Sequence, residues 1–124
     1  RERERERQQV KTYSMLYTET EIMSVDDNLV NQLVVETVLK PHKFKITQCM
    51  DGKEALELIA ERGYLPDLIL LDCMMPQMSG LEMCELLRQT YPQNALPVIM
   101  VSARGQESDI VKGLTSGCND YLTK

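Results

Sequence analysis

The chain has 124 residues, 43% of them hydrophobic, with 14 basic and 19 acidic side chains and a formal charge of −5. That length leaves room for one domain and excludes a second, and at this size roughly 65–70% of the unfolded surface can be buried, enough for a core without disulfides or a structural metal. The run Arg1–Arg7 holds four Arg and three Glu and contributes one positive charge, so −6 falls on the remainder, which disfavours direct contact with nucleic acid.

Residues 1–20 differ in character from the rest of the chain. Strict Arg/Glu alternation gives way to Gln8 and Gln9, then to sparse apolar positions at Val10, Tyr13, Leu16 and Tyr17. On a helix the pairs Glu2–Arg5 and Glu4–Arg7 would attract while four-residue neighbours repel, so two readings stay open: a charged linker, or the end of an upstream signalling helix or coiled coil. A start at Arg1 without Met leads to the expectation of a piece of a longer protein.

From Glu21 the pattern becomes regular. Ile22–Val25 reads as a short buried strand ending at Asp26-Asp27, and Leu29, Leu33, Val34 and Val38 recur at helical spacing until Lys40-Pro41, where proline stops the helix. Phe44–Cys49 alternates like a strand, Asp51-Gly52 is a turn, and Ala55, Leu56, Leu58 and Ile59 make the inner face of a second helix closed by Gly63. The apolar run Leu68–Leu71 suits a central parallel strand covered on both faces and ends at Asp72. A loop with Pro76 and Gly80, a helix over 81–90, the strand Val98–Val101 ending at Ser102, a helix over 107–116 and a short strand at Tyr121-Leu122 complete the order. This alternation predicts an α/β fold, an open and mostly parallel sheet wrapped by helices, with a ligand site beyond the carboxyl ends of the strands.

The cysteines, Cys49, Cys73, Cys84 and Cys118, form no Cys-x-x-Cys pair, and His42 is the only histidine. That argues against a zinc site and predicts reduced, buried thiols in a reducing compartment. The longest apolar stretches fall far short of the ~20 residues that a membrane span requires.

Chemistry gathers at the strand ends. Asp26 and Asp27 follow the first strand, Asp72 the third, Ser102 the fourth and Lys124 the last. Any one such Asp reads more simply as a turn former or helix cap; together they point to a site. Three carboxylates at close quarters repel by about 4 kcal/mol per pair at 4 Å and an effective dielectric of 20. A cation must offset this, and oxygen-only ligands favour Mg²⁺, which binds one or two carboxylates together with phosphate oxygens.

Over residues 21–124 the sequence resembles a response-regulator receiver domain of two-component phosphorelays. Val25-Asp26-Asp27-Asn28, with Asn31 further on, resembles the acidic-pair motif of receivers in hybrid sensor kinases and other multidomain signalling proteins. Asp72-Cys73-Met74-Met75-Pro76-Gln77-Met78-Ser79-Gly80 matches Asp-x-x-Met-Pro-x-Met-x-Gly, Val101-Ser102-Ala103 matches the strand-end Ser-Ala, and Gly117–Lys124 resembles the segment that ends in the family's lysine.

The resemblance implies a flavodoxin-like, doubly wound sheet of five parallel strands in the order 2-1-3-4-5, lacking the fifth helix that would follow Lys124. It implies that Asp72 accepts a phosphoryl group from the phosphohistidine of a kinase or histidine phosphotransfer domain. Asp26, Asp27, Asp72 and the main-chain carbonyl of Met74 would hold Mg²⁺, Lys124 and Ser102 would engage the phosphoryl oxygens, and Tyr121 would be the aromatic switch. Met74 and Arg104 stand at the family's variable positions that control water access to the acyl phosphate; an apolar Met74 would slow its decay, and for Arg104 two readings stay open, an exposed charge or a gate. His42, in a Lys-flanked loop, reads as solvated, so the phosphate must come from another domain. The expected setting is cytoplasmic, or the cytosolic part of a membrane-bound sensor, with an output domain in the same parent polypeptide and possible homodimerisation. An isolated chain of this kind is not a turnover enzyme; a phosphatase-like hydrolase would place an acid two residues after the nucleophile, where Met74 stands, and the complete set of Asp26, Asp27, Asp72, Ser102 and Lys124 argues against a pseudo-receiver. Removing a fifth helix would leave an apolar patch on the sheet, expected to be covered by a partner or by the segment carrying Val10, Tyr13, Leu16 and Tyr17.

Overall fold

The structure, a computed structural model, describes residues 20–124. The elements run β1 (Glu21–Val25), α1 (Leu29–Leu39) with a 3₁₀ turn at Lys40–His42, β2 (Lys45–Cys49), α2 (Gly52–Ala60), β3 (Leu68–Asp72), α3 (Gly80–Arg88), β4 (Val98–Ser102), α4 (Glu107–Thr115) and β5 (Asp120–Thr123). The sheet has the order β2-β1-β3-β4-β5, and all four pairings are parallel. This is the flavodoxin-like arrangement, with four helices among the described residues. The readings placed on Val10, Tyr13, Leu16 and Tyr17 lie outside the described residues.

Local chemistry sets the helix boundaries. Asn28 caps α1, its Oδ1 accepting from the amides of Val30 at 2.9 Å and Asn31 at 3.1 Å. Asp51 caps α2 through Glu54 N at 2.7 Å, and Ser79 caps α3 through Glu82 N at 3.2 Å. These caps move two starts forward of expectation: Gly52 opens α2 instead of ending a turn, and α3 spans Gly80–Arg88 instead of 81–90. Gly63, three residues past α2, takes φ +65° and turns the chain back toward β3.

The core is one-sided. Met23, Ile69, Leu71 and Met100 of the sheet pack with Ala55 and Ile59 of α2 and with Met83, Cys84 and Leu87 of α3. Cys49, Cys73, Cys84 and Cys118 are all free and buried, as expected. On the opposite face α1 is the only helix among the described residues. The four apolar positions that marked α1 are exposed, with Leu29 at 73% and Val34 at 54%, and the helix buries only Gln32. Val34 and Val35 instead flank an open groove of about 340 Å³ floored by Leu70 and Val101. The patch anticipated from the sequence is therefore present; helical periodicity identified the apolar face of α1 correctly, but no described element covers it.

At the edge of the sheet away from the strand ends that carry Asp26 and Asp72, Arg88 closes α3 onto the two segments that come after it. Its Nε donates to Gly117 O at 2.7 Å, Nη1 to Leu96 O at 2.8 Å and Tyr91 O at 3.2 Å, and Nη2 to Asn119 Oδ1 at 2.9 Å. Asn119 Oδ1 also receives Val98 N at 2.9 Å, which sets the start of β4. Gly117 adopts φ +106°, and a Cβ there would stand 2.7 Å from Arg88 Cγ, so glycine is needed for both conformation and space. Replacing Arg88 with Ala strips charged donors from three main-chain carbonyls and the Asn119 amide oxygen, and we expect a loss of about 3 kcal/mol in urea denaturation, with Arg88→Lys recovering only a small part because an ammonium lacks the planar fork.

Candidate phosphoacceptor site

The parallel register determines which side chains meet. Val25 pairs with Leu71 across β1 and β3, so Asp26 and Asp72 both emerge just past the last rungs of neighbouring strands. Asp26 and Asp72 are each only 7% exposed, while Asp27 lies open to solvent. Carboxylate oxygens of Asp26, Asp27 and Asp72 lie within 4.8 Å of one another, a spacing that suits a shared cation.

Lys124, the residue after β5, reaches across this cluster. Its Nζ lies 3.2 Å from Asp26 Oδ2 and 3.4 Å from Asp72 Oδ1, and its backbone amide donates to Ser102 O at 2.7 Å. Asp26 Oδ1 accepts from Asn28 N at 2.9 Å, and Asp72 Oδ1 accepts from Met74 N at 3.3 Å. Burial pushes the Asp72 carboxyl above the usual aspartate range; the Asp26 charge adds to this, and the Met74 amide and Lys124 offset only part of it. Burial pulls the Lys124 ammonium down, but its hydrogen bond to Asp26 and the two carboxylate charges outweigh that and leave its pKa raised.

Two further residues support this arrangement: Gln32, which sequence reasoning overlooked, and Gly80, which it placed only as the end of the matched motif. Gln32, 1% exposed, donates its amide nitrogen to Ser24 O at 3.0 Å, Asp26 O at 3.0 Å and Cys49 O at 3.1 Å, pinning the end of β1 beneath the acidic pair. The available signal was a Gln within an apolar helix. Gly80 permits the start of α3 to press against the acceptor strand, since a Cβ there would fall 2.2 Å from Asp72 O. Gly80 N donates to Cys73 O at 3.0 Å in the same contact.

The remaining expected residues lie around the cluster. Ser102 ends β4 fully buried, with its Oγ accepting from Arg104 N at 3.1 Å. Tyr121 is 8% exposed and stands apart from the acidic group, its hydroxyl donating to Arg104 O at 2.7 Å. Met74 and Arg104 line one cavity of about 460 Å³ together with Cys73. Burial and the neighbouring Asp72 charge raise the Cys73 thiol above its ordinary value, which favours a protonated core cysteine over a reactive one.

Residues 22–124 match the response regulator receiver domain. The chain belongs to this family. The receiver is 40% identical over 103 residues to the phosphate regulon transcriptional regulatory protein PhoB of Rhizobium meliloti, covering 83% of this chain and 44% of that protein. It spans less than half the length of the curated relatives it matches. Among solved structures, the receiver domain of the Francisella response regulator 1452 superposes with a TM-score of 0.75 at 33% identity, over 85% of this chain and 84% of that one. The Mn²⁺-bound form of response regulator Rcp1 superposes with a TM-score of 0.75 at 27% identity, covering 85% and 81%. Receivers bind a divalent metal in an acidic pocket, and the all-oxygen cluster of Asp26, Asp27 and Asp72 fits that requirement. Among the described residues of this receiver, no helix is long and apolar enough to cross a membrane.

The raised pKa of Asp72 makes a signed prediction. A carboxyl whose folded pKa lies above its unfolded value of about 3.9 contributes favourably below that value, and the contribution is lost as pH rises through the folded pKa. Without metal at pH 7, the raised pKa of Asp72 is therefore a burden on the fold. Asp72→Asn is expected to unfold at higher denaturant than the wild type at pH 7, with the difference closing as pH falls below 4, measured by denaturation in EDTA.

Proposed function

We propose that this receiver accepts a phosphoryl group on Asp72 from the phosphohistidine of a kinase or histidine phosphotransfer domain and changes conformation as a result. The observation that carries this reading is the placement of Asp72, a buried carboxylate with an oxygen hydrogen-bonded to Met74 N, inside a cluster with two further carboxylates and one ammonium. A carboxylate oxygen of Asp72 attacks phosphorus, the bond from phosphorus to the histidine nitrogen breaks, and that nitrogen leaves with its electron pair. The products are an acyl phosphate and a histidine.

Asp26, Asp27, Asp72 and the main-chain carbonyl of Met74 would hold Mg²⁺, with Asp26 acting mainly through a bound water. When bound, the cation neutralises charge on the phosphoryl oxygens and screens them from the carboxylates. Lys124, paired with Asp72 beforehand, shifts to a phosphoryl oxygen once the Asp72 charge is consumed in the acyl phosphate bond. Ser102 donates its hydroxyl to another oxygen. Turning it away from Arg104 N disturbs the residue that also holds the Tyr121 hydroxyl, which couples the site to the surface around α4 and β5. Met74, 49% exposed, and Arg104 control the approach of water to the acyl phosphate.

The setting is drawn from the family. We place this receiver in the cytoplasm or on the cytosolic side of a membrane-bound sensor, with an output domain in the same parent polypeptide, where a histidine kinase or another catalytic domain would also reside; contact with nucleic acid or membrane would belong to other segments, and homodimerisation is a further option for this one.

The test is incubation with acetyl phosphate and Mg²⁺, then intact-mass measurement, with Mg²⁺ and beryllofluoride as a parallel ligand. One phosphoryl group should add to the wild type and none to Asp72→Asn, and chelation of Mg²⁺ should suppress the gain. Equal modification of Asp72→Asn, or a wild type that neither gains mass nor binds beryllofluoride, would refute the proposal.

A further inference from the structure

Gly113 lies in α4 and is buried against β5. A Cβ built at this position would stand 2.5 Å from Cδ2 and 2.9 Å from Cε2 of the Tyr121 ring. Carbon atoms in contact sit at about 3.5–4.0 Å, so any side chain here and the observed ring are mutually exclusive. A glycine inside a helix costs about 1 kcal/mol relative to alanine, and what α4 gains in return is the space occupied by Tyr121. Among the described residues, Gly80 and Gly113 are the helical glycines whose absent side chain would collide hardest; at Gly80 the collision is with backbone, and at Gly113 it is with a side chain that can turn away.

The ring placed by that space is connected to the phosphoacceptor site. The Tyr121 hydroxyl donates to Arg104 O at 2.7 Å, and Arg104 N donates to Ser102 Oγ at 3.1 Å. Tyr121 and Ser102 thus hold the two ends of one residue, so a change in either hydroxyl alters the backbone that the other binds. Sites linked in this way affect one another reciprocally.

We propose that Gly113 is a positioning residue for Tyr121: the missing side chain holds the ring inward and bonded to Arg104, and thereby biases the site toward the form that binds a phosphoryl group. This rests on the roles proposed for Ser102 and Tyr121 in the phosphoacceptor reading. A side chain at position 113 turns the ring out, releases Arg104 O and weakens phosphoryl binding without touching the acidic cluster.

The test compares wild type, Gly113→Ala, Tyr121→Ala and the double variant in the full chain. Tyr121 is followed by fluorine NMR of 3-fluorotyrosine-labelled protein, its resonance assigned by loss in Tyr121→Phe, with a gadolinium chelate reporting exposure. The resonance should be protected in the wild type and solvent-broadened in Gly113→Ala. Affinity for beryllofluoride with Mg²⁺ should fall about tenfold in Gly113→Ala, within the usual range for coupled sites. The same substitution should leave affinity unchanged in the Tyr121→Ala background, where it should raise the denaturation midpoint because alanine favours the helix. A Tyr121 resonance that stays protected in Gly113→Ala, or an equal affinity loss in both backgrounds, would overturn the proposal. If Gly113→Ala fails to fold, folding of the double variant supports the proposal and its failure overturns it. A wild type that does not bind beryllofluoride would refute the phosphoacceptor reading instead, and the resonance comparison would still decide the placement of Tyr121.

Discussion

Two carboxylates, Asp26 and Asp72, are carried to one sheet edge by adjacent strands, and the ammonium of Lys124 lies 3.2 Å from one and 3.4 Å from the other. The attraction spans 98 residues of chain to Asp26, so it exists only when β1, β3 and β5 are all in register. One ammonium does not neutralise the cluster: the carboxyl of Asp72 remains raised in pKa, and Asp27 adds a third negative group within 4.8 Å. The fold therefore holds excess negative charge where a cation would relieve it. Stability is lost at that edge and recovered in the core on the α2 and α3 side of the sheet.

Rigid backbone makes such a concentration of charge possible. Gln32 binds three carbonyls at the ends of β1 and β2, Gly80 lets α3 begin against the carbonyl of Asp72, and Arg88 fixes the far edge. Repelling groups tend to separate, and each of these contacts restrains the strands that carry them. The less restrained part of the site is the path from Ser102 through Arg104 to Tyr121, where single hydrogen bonds link exposed loop and half-open cavity. The division suits the proposed switch: a fixed charge cluster beside a segment held by single hydrogen bonds.

Much of this was legible in the sequence because β-strands of this kind announce themselves twice, by an apolar run and by the residue that ends it. Leu68–Leu71 before Asp72, and Ile22–Val25 before Asp26, identified both the central strands and the acidic edge. Helix periodicity was less informative. It found α1 and its apolar face, yet it carries no information on what covers that face, and Leu29, Leu33, Val34 and Val38 are exposed. Residues acting through space were harder still. Gln32 and Gly113 look ordinary in the chain, since the one depends on carbonyls 6 to 17 residues away and the other on a ring across the next strand. Tyr121 was anticipated as a switch through the family resemblance, whereas its bond to Arg104 O required coordinates.

Central to this picture of the receiver is that three converging carboxylates create the cation site. The most direct test is calorimetric titration of Mg²⁺ at pH 7 into the wild-type chain and into a variant with Asp26, Asp27 and Asp72 all replaced by Asn. Saturable binding in the wild type, absent from a variant that is folded and more heat-stable without metal, is the predicted result; saturable Mg²⁺ binding that survives in the triple variant would contradict it.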